Sequence, residues 1–232
     1  MLLRWALWPR LGYEEGLALQ QRLVAARCAG GADVVIATEH TPVVTLGPRA
    51  ESADLVLARA ELERRGIAVC RTDRGGLATY HGPGQFVLYP IVALRGIGVR
   101  RYVALLEDAA LAVIRATGLE GERRTGQPGV WVGAAKVASV GVRVQAGIAS
   151  HGLAVNLTLD CTPFAWIRPC GMTGGSIASL AALGGRSLTL PEAARIAVAT
   201  LATGLGAHAE EYEHGTLEPE DPRRQTSDDA HR

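Results

Sequence analysis

Apolar residues recur along this chain at two spacings, one near the period of a helix and one near that of a strand. "YEEGLALQQRLVAARCAGG" places Tyr13, Leu17, Leu23, Val24 and Ala25 at near-helical intervals and ends in paired glycines suited to a C-cap, which predicts a helix. "DVVIATEH" and "PVVTLG" read as strands, Asp54 to Arg65 as a short charged helix, and "IAVCRT" as another strand. "QFVLYPIVAL" reads as a buried strand, and "VRRYVALLEDAALAVIRATGL", apolar at 103, 106, 110, 113 and 114, as the longest helix. "GVWV", "AKVASVGVRV" and "GLAVNLTL" follow too closely for helical crossovers and are expected as antiparallel neighbours. "TGGSIASLAAL" and "PEAARIAVATLATGL" read as closing helices, the second with Pro191 and Glu192 in its first turn. The pattern predicts a mixed α/β (α+β) fold: a largely antiparallel sheet with flanking helices, in one domain over residues 1–208.

The end of the chain breaks that pattern. "EEYEHGTLEPEDPRRQTSDDAHR", residues 210–232, is polar and Pro-containing, so 209–232 is expected to be a disordered acidic tail. It carries eight acidic and three basic side chains, which leaves 15 acidic and 21 basic on the other 209 residues. The net charge of +1 therefore hides a mildly basic body, at +6, beside a tail at −5. A basic body suits an acidic protein partner. Nucleic acid is not expected, because no Lys/Arg-rich run occurs and only 5% of residues are aromatic.

Composition sets further bounds. The opening "MLLRWALWPRLGY" is interrupted by Arg4, Pro9 and Arg10, and no run reaches the roughly 18 apolar residues of a membrane span, so a soluble protein is expected, with a monomer as the default. Cys28, Cys70, Cys161 and Cys170 are scattered, with no C-x-x-C pair, which points to reduced thiols in a cytoplasm.

Four stretches carry candidate chemistry. In "RTDRGGLATYHGPGQFVLYP", residues 71–90, glycines make two tight bends around "LATYH", a composition suited to lining a pocket or, more blandly, to joining two strands. It is neither a P-loop nor a dinucleotide fingerprint. In "GVWVGAAKVASVGVRV", Lys136 is the one lysine among 24 basic residues. A strand there would put it on a face with Ala138, Val140, Val142 and Val144, where desolvation favours a neutral amine able to take a proton; arginine could not do so. The bland reading is a surface lysine at a strand end. In "RPCGMTGGSIASL", Cys170 sits in a glycine-rich turn whose N–H groups could stabilise a thiolate or an oxyanion, whereas Cys28 and Cys70 read as packing residues inside apolar segments. In "SHGLAVNL", His151 and Asn156 flank a strand; hydrogen-bonded burial accounts for both, and His151 is also a candidate for orienting a substrate. No metal-ligand spacing and no G-x-S-x-G elbow occurs.

"RGGLATYHGPGQFVLYPI", "GVWVGAAKVASVGVRV", "HGLAVNL" and "PCGM", in this order, closely resemble the lipoyl(octanoyl) transferases, over about residues 10–205. The resemblance implies a fold shared with biotin and lipoate protein ligase catalytic domains. It implies transfer of an octanoyl group from acyl carrier protein to a lysine of lipoyl domains, in E2 subunits or the glycine-cleavage H protein, as a step of lipoate biosynthesis. Cys170 would form the acyl-thioester and Lys136 would lower its pKa. Arg74, Gly75, Gly76, Leu77, Ala78, Thr79, Tyr80 and His81, with Ser139, Val140, Gly141, Gly152, Leu153 and Ala154, would bind substrate. No cofactor, ATP or metal is implied. An ATP-dependent ligase of the same fold, a thioester hydrolase and an inactive lipoyl-binding module are the alternatives.

Overall fold

Strand-forming runs from the whole length of the chain pair into one large sheet. The computed structural model describes residues 1–169 and 176–217. Its strands, numbered in chain order, are β1 (Leu2–Leu11), β2 (Asp33–His40), β3 (Val43–Leu46), β4 (Ala68–Arg71), β5 (Ala78–His81), β6 (Gln85–Ala93), β7 (Glu122–Arg124), β8 (Gln127–Val132), β9 (Ala135–Gln145), β10 (Ile148–Asn156), β11 (Ser176–Ile177) and β12 (His208–Glu211). Its helices are α1 (Tyr13–Cys28), α2 (Arg59–Arg64), α3 (Val99–Ala116) and α4 (Leu190–Leu205). The large sheet runs β12-β1-β2-β6-β10-β9-β8-β7, with β11 beside the first residues of β9. Strand β1 is parallel to β2 and β12, and the other neighbours along the path are antiparallel. Helix α1 spans the β1–β2 connection, as a parallel pair requires.

Alternate residues of the central strands feed two cores. Val35 and Ala37 of β2 and Phe86 and Leu88 of β6 pack under α3 and α4, while Val34, Ile36, Val87, Tyr89 and Ile91 face the side covered by α1 through Leu19 and Leu23. This period of two is the strand signature, and both faces are buried, so these strands read as continuous apolar runs. Helix α4 begins with a capping box, Thr189 Oγ1 accepting from Glu192 N and Glu192 Oε2 from Thr189 N, and ends at Gly206 with φ +65°. A smaller sheet, β4-β3-β5, packs on a third cluster that includes Leu62, Phe164 and Ile167.

The expected mixed, largely antiparallel sheet with flanking helices is the architecture observed, with local differences. Residues 2–11 form a strand although Arg4, Pro9 and Arg10 interrupt the apolar pattern; the register shifts between Trp8 and Leu11, where Pro9 cannot donate to a ladder. "LATYH" is β5 rather than a loop, because Val43–Leu46 supplies it with an antiparallel partner. The helix expected over 54–65 is a 3-10 turn at Ser52–Asp54 followed by the shorter α2. The described part of "TGGSIASLAAL" is β11 and a 3-10 turn at Ala181–Leu183, not a helix. Residues 209–217, expected in the tail, belong to the folded unit: β12 adds to β1, and Leu217 is buried against the α1 side of the sheet. Residues 218–232 lie outside the described residues. Among the described residues no helix is long and apolar enough to cross a membrane.

Candidate active site

Between the smaller sheet and the β9–β10 end of the large one lies a cavity of about 540 Å³, a volume typical of small-molecule sites. Residues 74–79 and His81, residues 139–141 and residues 152–154 all border it, together with Lys136 and His151. Thirteen of the fourteen residues that the resemblance marks for substrate thus surround one space. Tyr80 does not border it. Its ring packs edge-on to Phe164 at 5.8 Å within the third cluster. Gly75 N donates to Val142 O at 3.0 Å and stitches the 74–77 loop to β9. All three guanidinium nitrogens of buried Arg74 bond within the protein, to Thr45 O and Oγ1, Gly75 O and Leu77 O. Arg74 therefore holds the loop in place.

Lys136 reaches the cavity by a route that strict alternation does not give. Strand β8 pairs Val130 with Ala138 but Trp131 with Lys136, so Val137 is an extra residue, a β-bulge that shifts the face of every residue before it. Val137 and Ala138 both enter the helix-side core, and Lys136 lines the cavity with Ser139 and Gly141. Of the residues expected on its face, Ala138 lies in the helix-side core, whereas Val140 and Val142 border the cavity with it. Its Nζ lies 4.9 Å from the Trp131 ring centroid. Gly129, at φ +127°, makes the space: a Cβ there would come within 2.7 Å of Lys136 Cε and 2.3 Å of Ala138 O.

Cys170 lies outside the described residues. The chain on either side of it borders the cavity: Pro169 forms a bridge to Ala78, and Ile177 pairs with Lys136. Of the described thiols, Cys161 is pushed up to about 11, first by burial and then by Asp160, and Cys70 is raised by burial and Glu14. Cys28 is exposed and Cys70 half-buried, so neither is the deeply packed residue its apolar neighbours suggest.

Tyr13 and Tyr89 border the polar end of the cavity with His40 bonded behind Tyr89, and sequence reading gave none of these three a part in the site. His40 and Tyr89 are joined, Nε2 to Oη, at 2.7 Å; His40 Nδ1 meets Leu11 O at 2.7 Å; and Tyr13 Oη donates to Thr72 Oγ1 at 2.8 Å. His81 Nδ1 meets Gln85 Oε1 at 2.6 Å. Burial lowers His40, and burial followed by His40 and Arg74 lowers His81 to about 3. His151, whose strained backbone has φ +55°, gives its N–H to Gln20 Oε1 and places Nε2 2.7 Å from Asp73 Oδ1, which also pairs with Arg143. Burial, Arg74 and Arg143 lower His151 to about 4, while the Asp73 carboxylate works in the opposite direction. His151 and Asn156 lie within β10 rather than flanking it. His40 ends a strand whose hydrophobicity invites a packing interpretation, and only its partners, 29 and 49 residues away, mark it. Among the described residues no three His, Cys, Asp or Glu side chains are placed to hold a metal ion.

Residues 12–202 match the family model of the lipoyl protein ligase A/B catalytic domain. An octanoyltransferase of Chloroflexus aurantiacus is 42% identical over 198 residues, covering 83% of this chain and 89% of that one. Two solved structures share the fold at low identity. Protein Ta0514 of T. acidophilum, solved with bound lipoic acid, aligns at TM-score 0.74 and 15% identity over 99% of this chain and 96% of that one. A bipartite lipoate protein ligase from Thermoplasma acidophilum, described with its E2 lipoyl domain, aligns at TM-score 0.72 and 13% identity over 91% and 89%. The family match and the identity to a named octanoyltransferase agree with the four strings in the sequence, and the chain belongs to the lipoyl protein ligase A/B catalytic-domain family.

Proposed function

We propose that this protein moves an octanoyl group from acyl carrier protein to a lysine of a lipoyl domain, with Cys170 as nucleophile and Lys136 as the base that activates it. The observation that carries the proposal is a largely apolar cavity that holds Lys136 and is bordered by both flanks of Cys170, Pro169 and Ile177. Val140, Leu153, Ala154 and Val87 suit an alkyl chain. A thiol with a reference pKa near 8.5 is mostly protonated at neutral pH, and a neighbouring amine takes that proton and pairs with the thiolate. Attack on the carrier thioester forms a new C–S bond to Cys170 and expels the carrier thiolate. Attack by the acceptor amine then forms the amide and returns the sulfur. The two half-reactions share one covalent intermediate, and ping-pong kinetics follow.

Intact-mass spectrometry after mixing the protein with octanoyl-acyl carrier protein, without ATP, tests this. An octanoyl adduct is expected on the wild type and none on Cys170→Ala. Absence of the adduct, with acylation of a lipoyl domain appearing only when octanoate and ATP are supplied, would return the chain to the ligase reading.

A further inference from the structure

The polar corner of the cavity has a hydrogen-bond sense that can be worked out from its far end. Ala178 O and Tyr80 O are backbone carbonyls and can only accept. Asn156 Nδ2 therefore donates to Ala178 O at 3.1 Å, which leaves Asn156 Oδ1 to accept from Gln85 Nε2 at 2.9 Å. Gln85 Nε2 also points at Tyr80 O, at 3.4 Å, so Gln85 Oε1 is the atom facing His81 Nδ1. Nδ1 must then carry the proton, and the neutral ring presents an unprotonated Nε2. The ring is stacked on Tyr13 at 6.0 Å and edged by His40 at 5.7 Å, and with Nδ1 engaged by Gln85, Nε2 is the ring nitrogen left to accept from a ligand in the cavity that His81 borders.

The same argument runs through His40. Leu11 O accepts from Nδ1, so Nε2 of the neutral ring accepts from the Tyr89 hydroxyl, whose proton burial holds in place. Tyr89 Oη thus turns its lone pairs outward. The guanidinium of Arg74 is bonded into the 74–77 loop, and the cavity's other basic side chains are Arg49 and Lys136. A corner lined by acceptors is matched to a ligand rich in N–H donors and mismatched to a carboxylate or phosphate.

Building on the transfer reaction proposed above, we propose that this corner seats the attacking amine of the acceptor lysine, with His81 Nε2 and Tyr89 Oη accepting its N–H bonds. As the N–C bond forms, the nitrogen gains positive charge and its N–H bonds become more acidic, so a fixed acceptor holds the transition state more tightly than the ground state. The C–S bond then breaks, and the proton lost by nitrogen returns to the Cys170 sulfur. The chain of amides that sets the His81 tautomer ends on Ala178, whose N–H donates to Lys136 O at 3.2 Å, so one short segment ties both groups to the same site.

Two measurements test the proposal. Two-bond 1H–15N correlation on protein labelled in histidine is expected to show His81 at pH 7 as the neutral Nδ1–H tautomer; the Nε2–H tautomer or an imidazolium overturns it. Separated half-reactions supply the second. His81→Phe keeps the ring stacked on Tyr13 and is expected to slow transfer from isolated acyl-enzyme to a lipoyl domain by about ten- to hundredfold, well beyond any effect on acyl-enzyme formation. Equal slowing of both steps overturns the role. Gln85→Glu adds a pH signature. Its carboxylate raises the pKa of a ring otherwise held down by burial, His40, Arg74 and His151. Tyr13 and Tyr89, which also face it, stay neutral across the range. Transfer by that variant is therefore expected to fall as pH drops through the raised pKa, a limb the wild type lacks near neutrality. Failure of wild-type acyl-enzyme to form counts against the transfer reaction itself, whereas the tautomer reads the corner independently.

Discussion

The two faces of the large sheet are made from alternate residues of the same strands, and they bury different chemistry. Under α3 and α4 lie Val35, Ala37, Phe86, Leu88, Leu153 and Val155, which belong to one hydrophobic cluster. On the other side the interleaved positions include His40, Gln85, Tyr89 and Asn156, buried and hydrogen-bonded to one another or to backbone. An apolar face is stable without any particular geometry of polar atoms. A buried polar face is stable only when each donor finds an acceptor, so its residues are held in one arrangement. That makes the second face suitable for positioning reactants and the first suitable for holding the fold.

The comparison can be broken from either side. Lys136→Arg, which keeps the charge but cannot take a proton, is expected to lower acyl-enzyme formation by about 10²–10⁴-fold while leaving the denaturation midpoint near wild type. A rate near wild type would remove the base from the mechanism. Leu106→Ala, in the fully buried face of α3, is expected to cost about 2–5 kcal/mol in urea unfolding and to leave the transfer rate of the folded protein unchanged. A rate that fell with stability would show the two faces to be coupled.

Acid separates the faces further. His81 and His151 are lowered to about 3 and about 4 in the fold, against about 6.5 unfolded, so the unfolded chain binds more protons between those values. Their contribution is complete above about pH 6.5 and is lost progressively as pH falls toward 3. A urea midpoint that declines over this window, with a shallower decline in His81→Phe, is the expected result. The smallest effect belongs to the apolar face, where the buried Tyr102 hydroxyl finds no partner among the described residues. Tyr102→Phe is expected to raise stability by about 1 kcal/mol by removing that unmet group. A loss instead would mean the hydroxyl is satisfied.

Sequence and structure divide along the range of the interactions involved. Helices α1, α3 and α4 and strands β2, β6, β9 and β10 were legible because their apolar spacing is a local property. So was the family, which four strings carry between them. Gly129 could be seen as a glycine but not as the residue that makes room for Lys136, since that depends on a strand pair. β1 escaped because it is buried on both faces and interrupted by charge and proline, and β12 because a short polar strand is recognisable only beside its partner.

By itself the sequence determined the element types of its periodic segments, the unusual lysine, the cysteine in a glycine-rich turn and the membership of the family. Only the tertiary structure decided that a bulge at Val137 turns Lys136 into the cavity, that Tyr80 does not border it, and that His81 and Tyr89 do, with His40 hydrogen-bonded behind Tyr89. The physical reason is that periodicity is set by neighbours three or four residues apart. Register, bulges and hydrogen-bond polarity are set by partners tens of residues away, and nothing local encodes which of two such partners carries the proton.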